Sequence, residues 1–320
     1  MTQQKTINPS TQSTPVVVCL GAASSAGCNA TWRAALVARE LGAKLNILHP
    51  APQPRVLARE EAALRELVED IRQRTRVDVS VEAVQGNVLR HAVAASRDAA
   101  MMVLPSVRRN PLREWIMGTQ AERLIRLCRS PVLVVKRPAL ASYQRVLVPL
   151  DVRDQSARVI ALAASLSRGS RLEVLHAIDA GDEKILRELE GPELTLRFDR
   201  QHRAQAALLA VHQRVAAAQV GQSGAEASIA FGDAARVVLA RTQAWDAELL
   251  VIGKAQRGLL AGYFLGGLTQ CVLARASADV LVHPVRSQAA RRVDAPAPQV
   301  PSTPSSPAHW GTLVRLPEWK

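Results

Sequence analysis

Aromatic residues make up only 3% of this 320-residue chain. Single-stranded nucleic acid is held largely by stacking bases on aromatic rings, so a stacking platform is disfavoured. The four cysteines, Cys19, Cys28, Cys128 and Cys271, form no CxxC pair, and no Cys/His set has zinc-finger spacing. No apolar run reaches the roughly 18 residues of a membrane span. The opening "MTQQKTINPSTQST" has no apolar core region, so no signal peptide is expected. Reduced thiols in a cytoplasmic protein follow as the default reading, with no membrane partner. A polybasic run is missing too, although the net charge is +13 and the pI about 10.7. Such a charge attracts polyanions. Here the arginines are scattered over every helical segment as solvated surface charge, with no recognisable reader motif, and nucleic acid is not expected as a partner.

What the chain has is apolar material, 48% of its residues, and an internal repeat. "VVVCLGAASSAG" (16–27) and "VLVPLDVRDQSA" (146–157) are both β-branched runs leading into small-residue loops. Each precedes a helical pattern, at 30–41 and 157–167, then a second strand pattern, at 43–50 and 170–179. Those second strands both carry Leu-His, at Leu48-His49 and Leu175-His176. "GNVLRHAVAASRDAAMMVLP" (86–105) answers "GDAARVVLARTQAWDAELLVIG" (232–253). From there Pro105 and Gly253, Gly118 and Gly266, and Pro131 and Asp279 are each 148 residues apart. A fixed offset over several landmarks indicates a duplicated unit.

Between these landmarks, Leu64, Leu67, Val68 and Ile71 mark an amphipathic helix over about 57–74, followed by an alternating strand at 77–86. The second copy answers with a helix near 200–218, carrying Leu208, Val211 and Val215, and a strand at 226–232. Strands alternating with helices predict, for each copy, a five-stranded, mostly parallel sheet with helices on both faces. The expected boundaries are a disordered N-terminus at 1–14, a first domain at 15–138, a linker at 139–144 and a second domain at 145–286. A Pro/Ser/Ala-rich tail without apolar period occupies 287–320 and is expected to be disordered.

Ligands of open α/β sheets sit beyond the carboxyl ends of the strands, where the strand order reverses. The loop following the fourth strand of the second copy, "VIGKAQRGLLAGYFLGGLTQ" (251–270), is glycine-rich and opens a helix. Backbone N–H groups at such a place face an anion, and glycine lets the backbone approach it. An Asp after the first strand and a strand–G–x2–G–x9–G–[S/T] pattern complete a resemblance to the universal stress protein family, over about 15–286. The resemblance implies two tandem Rossmann-like domains of the adenine-nucleotide-binding type. It implies pairing of their final strands, 132–136 and 280–284, which covers those edges, and ATP with Mg²⁺ in some members.

Carried onto the second copy, the family pattern places Asp151 and Ala177 at the adenine and Gly253 and Gly266 at the phosphates. Gln256 stands where a glycine is usual, and Gly267 where a Ser or Thr is usual. In the first copy the Asp position falls on Gly21 and the glycines on Pro105 and Arg108; Gly118 and Thr119 keep the final pair. Pro105 removes a donor and fixes φ, so the first site is the weaker. The second copy is the candidate nucleotide site.

No Ser-His-Asp, Cys-His or paired-carboxylate arrangement is defined by spacing, so no catalytic residue is assigned. His49 and His176 are expected to be hydrogen-bonded at the sheet rim, His202 and His212 to lie at the surface, Cys19 in the core and Cys28 in a polar loop. The functional expectation is a non-catalytic stress-response protein with ATP binding in the second domain, its domains paired within the chain. Alternatives are a nucleotide-free module for an unidentified protein partner, a weak ATPase, and nucleic-acid association through net charge; a homodimer is a possible further assembly.

Overall fold

The computed structural model describes residues 14–21, 24–51, 57–106, 120–152, 157–179, 193–220, 224–255 and 266–285. The residues up to Arg286 make one compact unit. The proposed N-terminal and C-terminal tails, apart from residue 14, lie outside the described residues.

In the first half the elements are β1 (Val16–Leu20), α1 (Ser25–Leu41), β2 (Lys44–Pro50), α2 (Leu57–Thr75), β3 (Val79–Val84), α3 (Val88–Ala95), β4 (Met101–Pro105), α4 (Gln120–Leu127) and β5 (Val132–Val135). The second half repeats them as β6 (Arg145–Pro149), α5 (Ala157–Ser165), β7 (Arg171–Ile178), α6 (Glu193–Ala217), β8 (Ala225–Phe231), α7 (Ala234–Ala244), β9 (Leu249–Ala255), α8 (Gly267–Arg275) and β10 (Asp279–Val285). Local chemistry explains several ends. Ser24, Asn87 and Asp233 each accept a bond from a backbone N–H of the first helical turn. Gly42 ends α1 at φ 61°, a left-handed conformation that costs glycine nothing. The Ser24 cap starts α1 at Ser25, five residues earlier than the apolar pattern alone suggests.

The ten strands form a single sheet in the order β3-β2-β1-β4-β5-β10-β9-β6-β7-β8. Every described pairing is parallel except β5 with β10. Helices α1, α2, α5 and α6 bury their apolar stripes on one face, with Ala34, Ile71, Ile160 and Val211 fully buried. Helices α3, α4, α7 and α8 cover the other, through Ala92, Leu124, Val238 and Val272. Each of these two apolar layers runs without a break across both halves. Of the stripe read on α6, Val211 is buried and Val215 packs against the core, but Leu208 is exposed.

At the seam Leu281 lies opposite Leu133, Val280 opposite Val134 and Val282 opposite Val132. Leu133 and Leu281 are equivalent positions of the repeat, so the pseudo-two-fold axis passes between them. The expected pairing of the final strands is therefore present, in a register symmetric about that axis.

Candidate functional site

In the second half the strand order reverses between β6 and β9, with β7 and β8 added on one side of β6 and β9 and β10 on the other, all parallel. The carboxyl ends of β7, β6 and β9 are thus neighbours. They bring together Ala177, the second-last residue of β7, Asp151, two residues after β6, and Gly253 in β9. All three are half-buried at the rim of the sheet. The loop that leaves β9 re-enters the described chain at Gly266, directly before α8. Gln256, Gly118 and Thr119 lie outside the described residues.

Two side chains brace the Asp151 segment from either side. His176 Nδ1 donates to the carbonyl of Leu150 at 2.8 Å, which settles its tautomer. Arg214, from α6, donates to the carbonyl of Val152 at 3.0 Å. The residues flanking Asp151 on both sides are therefore anchored, and a carboxylate carried on such a fixed segment is preorganised toward a ligand. The Leu-His pair made His176 legible in the sequence. Nothing in the sequence singled out Arg214, because its partner is a backbone carbonyl 62 positions away.

The start of α8 is open. Gly266 is its N-cap and has no side-chain cap bond, and the first turn carries no acidic residue. The first helical bond described there runs from Gln270 N to Gly266 O, so the earlier amides keep their donors free of the helix ladder. Gly266 and Gly267 are exposed, and a Cβ added to either would meet no atom within 4 Å. A helix start of this kind leaves backbone donors available to an anion. Among the described residues no group of three His, Cys, Asp or Glu side chains forms a metal cluster.

The first half differs at each corresponding point. Its ladder sets Leu20 opposite Leu48, as Pro149 is set opposite Leu175. Gly21 N bonds Leu48 O, as Leu150 N bonds Leu175 O. Gly21 is therefore the counterpart of Leu150, and Asp151 corresponds to Ala22. This corrects by one residue the equivalence read from the sequence, where the two strands align equally well either way. The physical role of Gly21 is packing, since a Cβ there would sit 2.5 Å from Ile47 Cγ2. The first turn of α4 holds Glu122, ion-paired to Arg126, so this helix start already carries its own negative charge. His49 is buried, and neither ring nitrogen has a partner, contrary to the hydrogen bond expected of it.

Other expectations fare as follows. Cys19 is fully buried, and burial pushes its thiol up to about 12. Cys28 is half-buried in the first turn of α1, within the helix and not in a loop. His202 and His212 are exposed on α6. No described helix is long and apolar enough to cross a membrane.

Comparison with known proteins bears on these two halves directly. The model of the universal stress protein family matches twice, at residues 13–136 and 142–284. A solved protein of unknown function from Pseudomonas aeruginosa is similar at 20% identity and a TM-score of 0.60, covering 85% of this chain and 93% of that one. A universal stress protein from Archaeoglobus fulgidus is similar at 15% identity and a TM-score of 0.59, covering 84% and 96%. At such identities the likeness concerns the fold. No curated protein matches the sequence significantly.

Proposed function

The chain belongs to the universal stress protein family as a tandem member, and from that premise we propose that its second half binds an adenine nucleotide, ATP with Mg²⁺, without turning it over. The observations that carry this reading are the anchored segment around Asp151 at the switch point and the uncapped, acid-free start of α8. Asp151 would accept from the base or ribose edge. Ala177 would offer its backbone to the base, and the amides at Gly266 and Gly267 would face the phosphates. Mg²⁺ would arrive with the phosphate oxygens. The first half has Ala22 at the Asp position and Glu122 at its helix start, and it serves as the structural partner.

Binding without catalysis suits a cytoplasmic sensor in a stress response, in which nucleotide occupancy changes what the protein associates with. The test is a titration with ATP and Mg²⁺ that follows the thermal midpoint. Asp151→Ala should weaken binding by about tenfold or more, the worth of one charge-assisted hydrogen bond, while Thr119→Ala leaves it unchanged. No shift at millimolar ATP would make the protein a nucleotide-free interaction module. Phosphate release dependent on Asp151 would make it a weak ATPase.

A further inference from the structure

The seam between the halves is symmetric in its backbone and asymmetric in its polar groups. Asp279, at the first position of β10, is fully buried. Its Oδ1 accepts from the backbone amides of Lys136 at 2.7 Å and Arg137 at 2.8 Å. Its Oδ2 accepts from Tyr143 Oη at 2.7 Å and forms an ion pair with Arg33 Nε at 3.2 Å. Arg33, from α1, is itself buried and lies over the Tyr143 ring, 4.1 Å from its centroid. Its two terminal nitrogens bond the carbonyls of Ala141 and Pro138. Lys136 Nζ meanwhile donates to the carbonyls of Leu273 at 2.8 Å and Ala276 at 2.9 Å, closing the end of α8. Of these groups, Arg33, Lys136 and Arg137 belong to the first half, whereas Asp279 and the end of α8 belong to the second.

None of this has an image across the two-fold axis. Pro131 stands where the repeat would place a second Asp279, Pro284 where it would place a second Lys136, and Val285 where it would place Arg137. The ladder register that equates Leu20 with Pro149 puts Leu162 in the place of Arg33. If β10 met β10 of another copy in the same register, each buried Asp279 would face a proline without an N–H and a leucine without charge. If β5 met β5, each buried Arg33 would lose its carboxylate, and two backbone amides would face Pro131. A buried carboxylate or guanidinium left without its partner is strongly unfavourable.

We infer that the β5 and β10 edges are coded for one another and reject their own kind, so a first half pairs only with a second half. The chain's own second half is the nearest such partner, held close by the 139–144 strap through Asn29 and Arg33. This specificity stands whether or not a nucleotide binds.

Leu133 and Leu281 sit on the two-fold axis, which supplies the test. In like-with-like pairing each would face its own copy, about 5 Å away between Cα atoms. Full-length Leu133→Cys, Leu281→Cys and the double variant, with Cys28 and Cys271 changed to Ser, are unfolded and refolded under oxidising conditions. We expect both single variants to remain unlinked on a non-reducing gel and the double variant to link Cys at 133 to Cys at 281. A disulfide-linked dimer of either single variant overturns the inference. A second measurement covers poor oxidation at this buried position. Arg33→Leu and Asp279→Ala should each lower the thermal midpoint by roughly 6–10 °C, and the combined variant should lose little more than one of them. Additive losses overturn the coding.

Discussion

His49 and His176 lie near the ends of equivalent strands, follow the same leucine and occupy equivalent register positions, yet only one of them has work for its ring. His176 holds the Leu150 carbonyl and thereby one side of Asp151. His49 is buried with both ring nitrogens unpartnered. The same divergence recurs three residues earlier in the same two strands. Glu173 in β7 is fully buried, bound by Arg241 through two nitrogens and by Ser228 Oγ at 2.6 Å. Its counterpart Asn46, in β2, makes exposed bonds to Glu82 and Ser80. After duplication the ladders stayed alike, because backbone pairing constrains them everywhere. The side chains at the strand mouths drifted, because only a ligand or a new partner constrains them there. Glu173 and Asp151 of the second half are carboxylates where the first half has Asn46 and Ala22.

That contrast can be broken or sharpened by substitution. The largest effect is expected at Arg241, which neutralises the buried Glu173 carboxylate. Arg241→Ala leaves that charge with Ser228 alone and should cost about 3–5 kcal/mol in denaturant unfolding. The equivalent turn of α3 already carries Ala95, so the first half pays nothing there. A loss below about 1 kcal/mol would mean that water reaches Glu173 and that the contrast is only apparent.

Next comes Gly21, whose missing side chain admits Ile47. Gly21→Ala should destabilise by about 1–3 kcal/mol through overpacking, although its counterpart Leu150 accommodates a whole leucine side chain, 5% exposed. An unchanged unfolding midpoint would show that Ile47 yields freely and that the two strand mouths are more alike than their packing implies.

The smallest effect concerns His283 in β10, whose counterpart in β5 is Val135. Burial, aided by the charge of Arg158, holds its folded-state pKa below 6.5. As pH falls below about 6.5, the unfolded chain takes up a proton that the folded chain refuses. Stability from this position is therefore present above the unfolded value and declines as pH drops toward the folded one. His283→Val should flatten that decline between pH 7 and 5, as read from thermal midpoints. An identical slope in the variant would assign it to other groups.

Much of the fold was legible before any coordinates. Period-two and period-3.6 patterning placed the elements to within a few residues. The larger exceptions were the starts of α1 and α6. The α1 start follows from the Ser24 cap, a polar contact that apolar periodicity does not register. Asp151, Ala177 and Gly253 were placed by the resemblance to the family, and the structure sets all three at carboxyl ends of neighbouring strands. Arg214 was not, since its bond to Val152 joins two elements whose approach has no sequence mark. The one-residue slip at Gly21 has a similar cause: two hydrophobic strands slide past each other in an alignment without penalty, whereas a hydrogen-bonded ladder admits a single register.

Sequence alone determined that this chain holds two copies of one α/β unit, because hydrophobic periodicity and repeated landmarks are local properties written residue by residue. It also determined that the copies differ in their loop glycines and prolines. Only the tertiary structure decided that the sheet runs unbroken through both, that Asp279 is the point where the first half grips the second, and that Asp151 is braced by a histidine and an arginine from different elements. Those facts depend on distances between residues far apart in the chain, and buried charge becomes meaningful only once the surroundings that exclude water have been assembled.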